Sequence, residues 1–332
     1  MADPDQFSDG RIVRYPRERQ INSMDMGSLA AACSFLVKIK VLKKIAEYTH
    51  FPPGVKCPFH VKPHPRNTSM TQQLIQFVHA NSYPADTYRV FLNHLRSHYD
   101  IAALPLHAHD PAYPITDGWQ ALVKELLATL DARRPAILVG HSMGGMLSLM
   151  AARARPDLVR GVVLLDAPVV AGWRAVLLRL AKAIGVDRKL SPARFSEKRR
   201  NLWPDRDAAY AHYAAKPIFA AWPPAVLRDY VEHGTVPTED GVTLRFTREA
   251  ETAVYRSLPD HLGSLVRGNF PVPVGFIGGA ESVECRRAGL RATRRLVGRH
   301  FRKIPGSHLF PLEHPAAAAT AVHQMAQALL HA

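Results

Sequence analysis

From Gln72 onward, short runs of consecutive apolar residues alternate with longer stretches in which apolar residues recur every three or four positions. "QLIQFVH" (73–79), "IAALPL" (101–106), "AILVG" (136–140) and "GVVLLD" (161–166) are runs of strand length. Continuous rather than alternating apolar character predicts strands buried on both faces. Between them lie helical patterns: one over about 86–97, one over 117–130, and a small-residue helix from the third run to about Arg153. In the second helix Trp119, Leu122, Val123, Leu126, Leu127 and Leu130 share a face, with Asp117 placed to cap the N-terminus. Strands alternating with helices predict an α/β fold, a mostly parallel sheet with helices on both faces.

The rhythm stops near residue 168. The next hundred residues read as helices broken by Pro- and Trp-bearing turns ("NLWPD", "AAWPP"), with no buried strand. It resumes with a strand at "VPVGFIGG" (272–279), a helix over 286–298, a short strand at "HFRKI" (300–304) and a last helix from Pro315. The pattern therefore predicts one core built from 70–167 and 269–332, with 168–268 inserted as a helical cap. Residues 1–69 form an extension that fits least well. Within it "SFLVKIKVLKKIAEY" (34–48) has the pattern of a basic amphipathic helix, suited to a membrane surface or a partner. The plainer reading is a loosely packed extension, and Met70 stands directly before the first strand as an alternative start.

Composition narrows the class. With 332 residues, 47% of them hydrophobic, the chain can bury a large core. The net charge of +15 is spread out: 70–167 is neutral, with eight basic and eight acidic residues. Nucleic-acid binding needs a clustered basic stripe, so it is not expected. Cys33, Cys57 and Cys285 are too few and too far apart for a disulfide framework or a metal site, which suits a reducing cytoplasm. No apolar run has the ~18 residues needed for a membrane span.

Chemistry concentrates in "AILVGHSMGGML" (136–147), where Ser142 stands between a strand and a helix with glycine at 140, 144 and 145. Serine is favoured as a helix cap in its own right. A cap alone does not need all three glycines. A tight turn that lifts Oγ above the sheet does, because neighbouring backbone must pass close by. Ser142 then reads as a nucleophile, with the Met143 N–H and the positive helix end facing an oxyanion.

On these residues the chain resembles the α/β-hydrolases, with Gly140-His141-Ser142-Met143-Gly144-Gly145 as the nucleophile elbow, over roughly residues 70–332. The resemblance implies a second oxyanion donor from "HANSYPADTY" (79–88), the Asn81 N–H first and the Ser82 N–H next; Ser82 stands where the family pattern has glycine. The plain reading of this stretch is an Asn-Ser turn. It also implies a general base in "IPGSHLFPLEHP": His308, with Gly306, Glu313 and Pro315 matching the surrounding pattern, ahead of His314. The third member stays open. Asp166 ends one strand; Glu281 fits if Gly278 is the reference glycine, and Glu284 lies one turn further. Counting from Gly279 instead gives Ser282, which is no acid. Asp166 has its own plain reading as a turn residue.

The inserted segment stands where the family carries a lid. Its aromatic residues Trp173, Trp203, Tyr210, Tyr213, Phe219, Trp222 and Tyr230 either form the lid's own core or line an apolar pocket. Arg199 and Arg200 suit an exposed helix face or a substrate carboxylate. His107 and His109, with Asp110, lack a third ligand at useful spacing, so no metal is expected, and no cofactor is implied. The function implied is a serine hydrolase acting on an ester or thioester of a small or medium apolar acyl group. Carbon–carbon, lactone and amide hydrolysis use the same machinery, and a non-catalytic binding member of the fold is the rival from another class. A nucleophilic Asp, as in epoxide hydrolases or dehalogenases, is not what the elbow offers.

Overall fold

The computed structural model describes residues 72–184 and 193–331. The readings made on residues 1–69, the 34–48 stretch among them, and on Met70 lie outside the described residues.

The first half of the core runs β1 (Leu74–Val78), a 3-10 turn at Ala85–Tyr88 leading into α1 (Arg89–Asn93), β2 (Asp100–Ala103), α2 (Gln120–Ala128), β3 (Ala136–His141), α3 (Met143–Ala154) and β4 (Val159–Leu165). The inserted segment contributes α4 (Trp173–Ala183), β5 (Leu202–Trp203), α5 (Arg206–Ala214), α6 (Pro224–Gly234), β6 (Thr235–Thr238), β7 (Gly241–Leu244) and α7 (Arg248–Arg256). The core then resumes with β8 (Val274–Gly279), α8 (Val283–Ala288), α9 (Arg291–Val297), β9 (Phe301–Ile304) and α10 (Pro315–Leu330).

Six strands form one parallel sheet in the order β2-β1-β3-β4-β8-β9. Every residue of β3 and β8 is buried, as continuous apolar runs require. The pleat divides them between two layers. Ile75, Phe77, Ile137, Val139, Val163 and Leu165 pack with Tyr88, Phe91 and the Ala318–Val322 face of α10. Val78, Leu138, Val162, Leu164 and Phe276 pack on the other side with Leu122, Leu126, Leu147 and Val297. Each fully buried aliphatic side chain contributes roughly 1.5–3 kcal/mol. The register aligns Val78 with Gly140, Gly140 with Leu164, and Leu165 with Ile277, so β1, β3, β4 and β8 end at one level.

Three sequence expectations need correction. The inserted segment is not purely helical: β5, β7 and β6 form a small antiparallel sheet. These strands have two to four residues, too short for a periodicity signal, and the turn at Gly241 (φ +128°) is what pairs β6 with β7. The helix expected over 286–298 is two helices, broken where Gly289 takes φ +74°. Asp117 does not cap α2: Gly118 and Trp119 have φ of +74° and +60°, which separates a 3-10 turn from the helix, and Asp117 pairs with Lys182. Trp119 is still buried, its Nε1 donating to Ser257 Oγ at 3.0 Å.

Candidate active site

The turn after β3 is built around missing side chains. A Cβ on Gly140 would lie 2.3 Å from the Gly144 carbonyl oxygen, and one on Gly144 would lie 2.0 Å from that of Val78. One on Gly145 would meet the Ala167 Cβ at 2.4 Å. These approaches let α3 start directly above the strand ends. Ser142 takes φ +53°, ψ −114°, a conformation that a non-glycine residue adopts only when its surroundings hold it there. Its N–H donates to the Leu165 carbonyl at 2.9 Å, which fixes the turn to β4.

Ser142 Oγ lies 3.0 Å from His308 Nε2, and His308 Nδ1 lies 2.7 Å from Asp166 Oδ2. A carboxylate can only accept, so Nδ1 carries the proton and Nε2 is free to take one from the serine. Asp166 is fully buried just past β4, at φ +43°, a region that Asp tolerates better than most residues. Its Oδ1 accepts from the Gly279 N–H at 2.8 Å and from Cys285 Sγ at 3.3 Å; Oδ2 also accepts from Ser282 Oγ at 2.6 Å. Burial alone would push the carboxyl up, but the contact with His308 and the Ser282 and Gly279 donors outweigh it and hold it below the usual range.

The other two acids stand differently. Glu284 is exposed and 3.4 Å from Ser282 Oγ; Glu281 is exposed, with its backbone tied to Gly306 and Arg286. Carboxylate and imidazole atoms of Asp166, Glu284 and His308 fall within 4.8 Å of one another, close enough for a metal ion. Both Asp166 oxygens, however, already accept two hydrogen bonds each.

The His308 loop is fastened from two sides. Glu313 accepts from the Ser307 N–H at 2.8 Å and from the Ser307 hydroxyl, while Gly306 at φ +113° leaves no room for a side chain beside Glu313 Oε2 and Phe310. That is why a glycine and a glutamate flank the histidine here. On the other side His141 Nε2 lies 2.8 Å from the His308 carbonyl, and its Nδ1 2.7 Å from the Tyr88 hydroxyl. The carbonyl must accept, so His141 carries its proton on Nε2 and Tyr88 donates to Nδ1. Burial, then the nearby His308, push the His141 pKa down to about 3, so the ring is neutral. His314 is exposed at the start of α10.

The loop after β1 lies beside the elbow. Ser82 takes φ +75°, the left-handed conformation that glycine would adopt more easily. Asn81 donates from Nδ2 to the Glu251 carbonyl on α7 at 3.2 Å, which ties this loop to the inserted segment. The Met143 N–H opens α3, beyond the helix's own hydrogen-bond ladder.

His79 clasps the loop base, donating from Nδ1 to the Ala80 carbonyl and accepting the His107 N–H at Nε2, both at 2.8 Å. Burial, then His107, lower its pKa well below the usual value. His107 meets Glu125 at 3.0 Å. His109 spends both ring nitrogens on backbone groups of His107 and Thr247. These histidines brace loops.

One reading of the inserted segment is revised. Arg199 is neither an exposed face nor open to a substrate carboxylate: it pairs with Glu251 at 2.7 Å and donates to the Tyr230 and Tyr213 hydroxyls at 3.0 and 3.3 Å. Arg200 is exposed and donates to the Leu202 carbonyl. Trp203, Tyr213, Phe219, Trp222 and Tyr230 are buried against one another as the segment's core, Tyr210 is packed beside them, and Tyr83 faces Trp222 and Tyr230. Trp173 alone of the seven is exposed. The support that Ser282 and Cys285 give Asp166 is not visible in the sequence, because it depends on where β4 and α8 meet in space.

Residues 77–321 match the Alpha/beta hydrolase family. The uncharacterized hydrolase YugF of Bacillus subtilis (strain 168) is 36% identical over 99 residues, 28% of this chain and 36% of that protein. Lipase LipV of Mycobacterium tuberculosis (strain ATCC 25618 / H37Rv) is 36% identical over 112 residues, 32% of this chain and 42% of its own length. The matched stretches thus span less than half of either relative. The crystal structure of E-2-(acetamidomethylene)succinate hydrolase superposes with a TM-score of 0.60 at 24% identity, covering 77% of this chain and 92% of that one. That likeness is one of fold.

Proposed function

The chain belongs to the alpha/beta hydrolase family and is a hydrolase; from that premise we propose that it is a serine hydrolase cleaving an ester or thioester of a small or medium apolar acyl group. The observation that carries this reading is the unbroken relay Ser142 Oγ–His308 Nε2, His308 Nδ1–Asp166 Oδ2, at 3.0 and 2.7 Å.

In this reading His308 Nε2 takes the Ser142 proton as Oγ attacks the acyl carbonyl. Asp166, already ionised, stabilises the imidazolium through Nδ1. The Met143 and Asn81 N–H groups hold the tetrahedral oxyanion, each such donor being worth roughly 3 kcal/mol in the transition state. Collapse releases the alcohol or thiol, which takes the proton from His308. Water then repeats the sequence on the acyl-enzyme, with His308 as base. The small-molecule substrate is supported by the family, and its acyl class by the lipase LipV among the similar proteins.

A panel of p-nitrophenyl esters and acyl thioesters of increasing chain length tests the substrate class. The expected result is a maximum of kcat/KM at short to medium acyl chains. Turnover of only lactones, amides or β-diketones would replace the ester reading while leaving the serine machinery in place.

A further inference from the structure

Helix α4 is amphipathic in the wrong sense for a helix that exists to cover a core. Trp173, Val176, Leu177, Leu180 and Ile184 fall at i, i+3, i+4, i+7 and i+11, which puts them on one stripe. All five are exposed, from 51% at Val176 to 72% at Ile184. Ala175, on the opposite side, is the helix residue that is buried. Large apolar side chains scattered singly on a surface mean little, but a contiguous stripe of five marks a contact surface.

The margin of the stripe toward α8 is basic. The helix carries Arg174, Arg179 and Lys182 and no acidic residue. Arg179 and Lys182 are taken up by Asp260 and Asp117, Lys182 on the side of the helix away from the stripe. Arg174 lies over the Trp173 ring, 4.5 Å from its centroid, and donates to the Arg287 carbonyl, which joins α4 to α8. On that neighbouring surface Arg286, Arg287 and Arg291 are all exposed. The whole chain carries +15. An exposed apolar stripe with a tryptophan at one end and arginines at its margin has the chemistry of a helix lying in a lipid headgroup layer, where the apolar face enters the acyl boundary and the cations meet anionic phosphates.

We propose that the α4 stripe docks this protein on an anionic lipid surface. The partner is the face of a bilayer or lipid particle. No crossing of the membrane is involved: among the described residues no helix is long and apolar enough for one. Docking is independent of the catalytic reading, because it is read by binding.

The chain supplies its own probe. Of its four tryptophans, Trp119, Trp203 and Trp222 are buried and Trp173 is 66% exposed. The full-length protein is mixed with vesicles of phosphatidylcholine alone, or with 30% phosphatidylglycerol (roughly, a strongly anionic surface), and read by tryptophan emission and co-sedimentation. The expected result is a blue shift and sedimentation with the anionic vesicles, at least ~10-fold weaker with neutral ones and weakened by salt. Trp173→Phe removes the blue shift. Leu177→Glu/Leu180→Glu, exposed positions where folding does not depend on the side chain, abolishes sedimentation. No binding to either vesicle, equal binding to both, or sedimentation that persists in the double variant would each overturn the proposal. So would a concentration-dependent dimer that the double variant dissociates with no vesicle binding, since a second copy would then be the occupant.

Discussion

Ser282 donates its hydroxyl to Asp166 Oδ2 at 2.6 Å, the same oxygen that accepts from His308. The serine thus stands where an acid was sought along β8, and it serves the acid at the end of β4. It also caps α8, accepting from the Cys285 N–H at 3.0 Å, so its hydroxyl proton is committed to Asp166.

If Asp166 orients the His308 ring, Asp166→Asn lowers kcat by roughly 10³- to 10⁴-fold, because the amide no longer enforces the required tautomer. Ser282→Ala removes one donor from a buried carboxylate, a loss of about 1.5–3 kcal/mol shared between stability and rate. Glu281→Gln and Glu284→Gln leave kcat within about threefold, the range left to exposed charges. Steady-state kinetics on one ester compare all four. A large loss at Glu284 with a small one at Asp166 would move the acid.

His141 holds the His308 backbone in place, so its removal affects the geometry of proton transfer more than substrate binding. His141→Phe is expected to lower kcat by roughly 10- to 100-fold with KM little changed, since a misplaced catalytic group costs about that much. His141→Gln keeps a donor for the carbonyl and is expected to recover most of the loss. Equal defects in the two variants would show that ring packing matters, and the hydrogen bond does not.

The glycine at 144 is required by contact with backbone. Gly144→Ala puts a Cβ about where the Val78 carbonyl oxygen lies, 2.0 Å away, and neither element can yield cheaply. Urea denaturation is expected to show a loss of several kcal/mol, in the range of the most disruptive single substitutions. A near-neutral result would mean that the elbow can open.

Stability should fall in acid, and His141 sets where. The ring stays neutral in the fold down to about pH 3, whereas the unfolded chain binds a proton from about pH 6.5. Between those values the unfolded state binds more protons, so stability is full above about 6.5 and falls with pH, by at most roughly 1.4 kcal/mol per pH unit for this group. His79 acts in the same direction. Asp166 adds a further loss at lower pH: its folded pKa is depressed, so its contribution is present above about 3.9 and disappears as pH falls through the folded value. Urea midpoints from pH 7 to 4 should slope less in His141→Gln than in the parent chain.

The sheet was legible because strands buried on both faces leave continuous apolar runs, and Ser142 because its turn needs three glycines within six residues. His308 was legible through its resemblance, and Gly306 and Glu313 now have a physical reason to accompany it. Which carboxylate lies against His308 was not legible, because Asp166 meets it 142 residues away in sequence, across β8, and counting along one strand cannot detect a partner on another. The small sheet of the inserted segment escaped notice because its strands are shorter than one period test. The break at Gly289 leaves no mark in the helical pattern, because it rests on that residue's φ of +74°.

The proposed function stands on Ser142 as a nucleophile activated by His308. The most direct measurement is labelling of the purified full-length protein by a fluorophosphonate probe, followed by mass mapping of the adduct. One adduct is expected on Ser142, absent in Ser142→Ala and slowed by orders of magnitude in His308→Ala. A folded protein that takes no label, or takes it undiminished in Ser142→Ala, would contradict it.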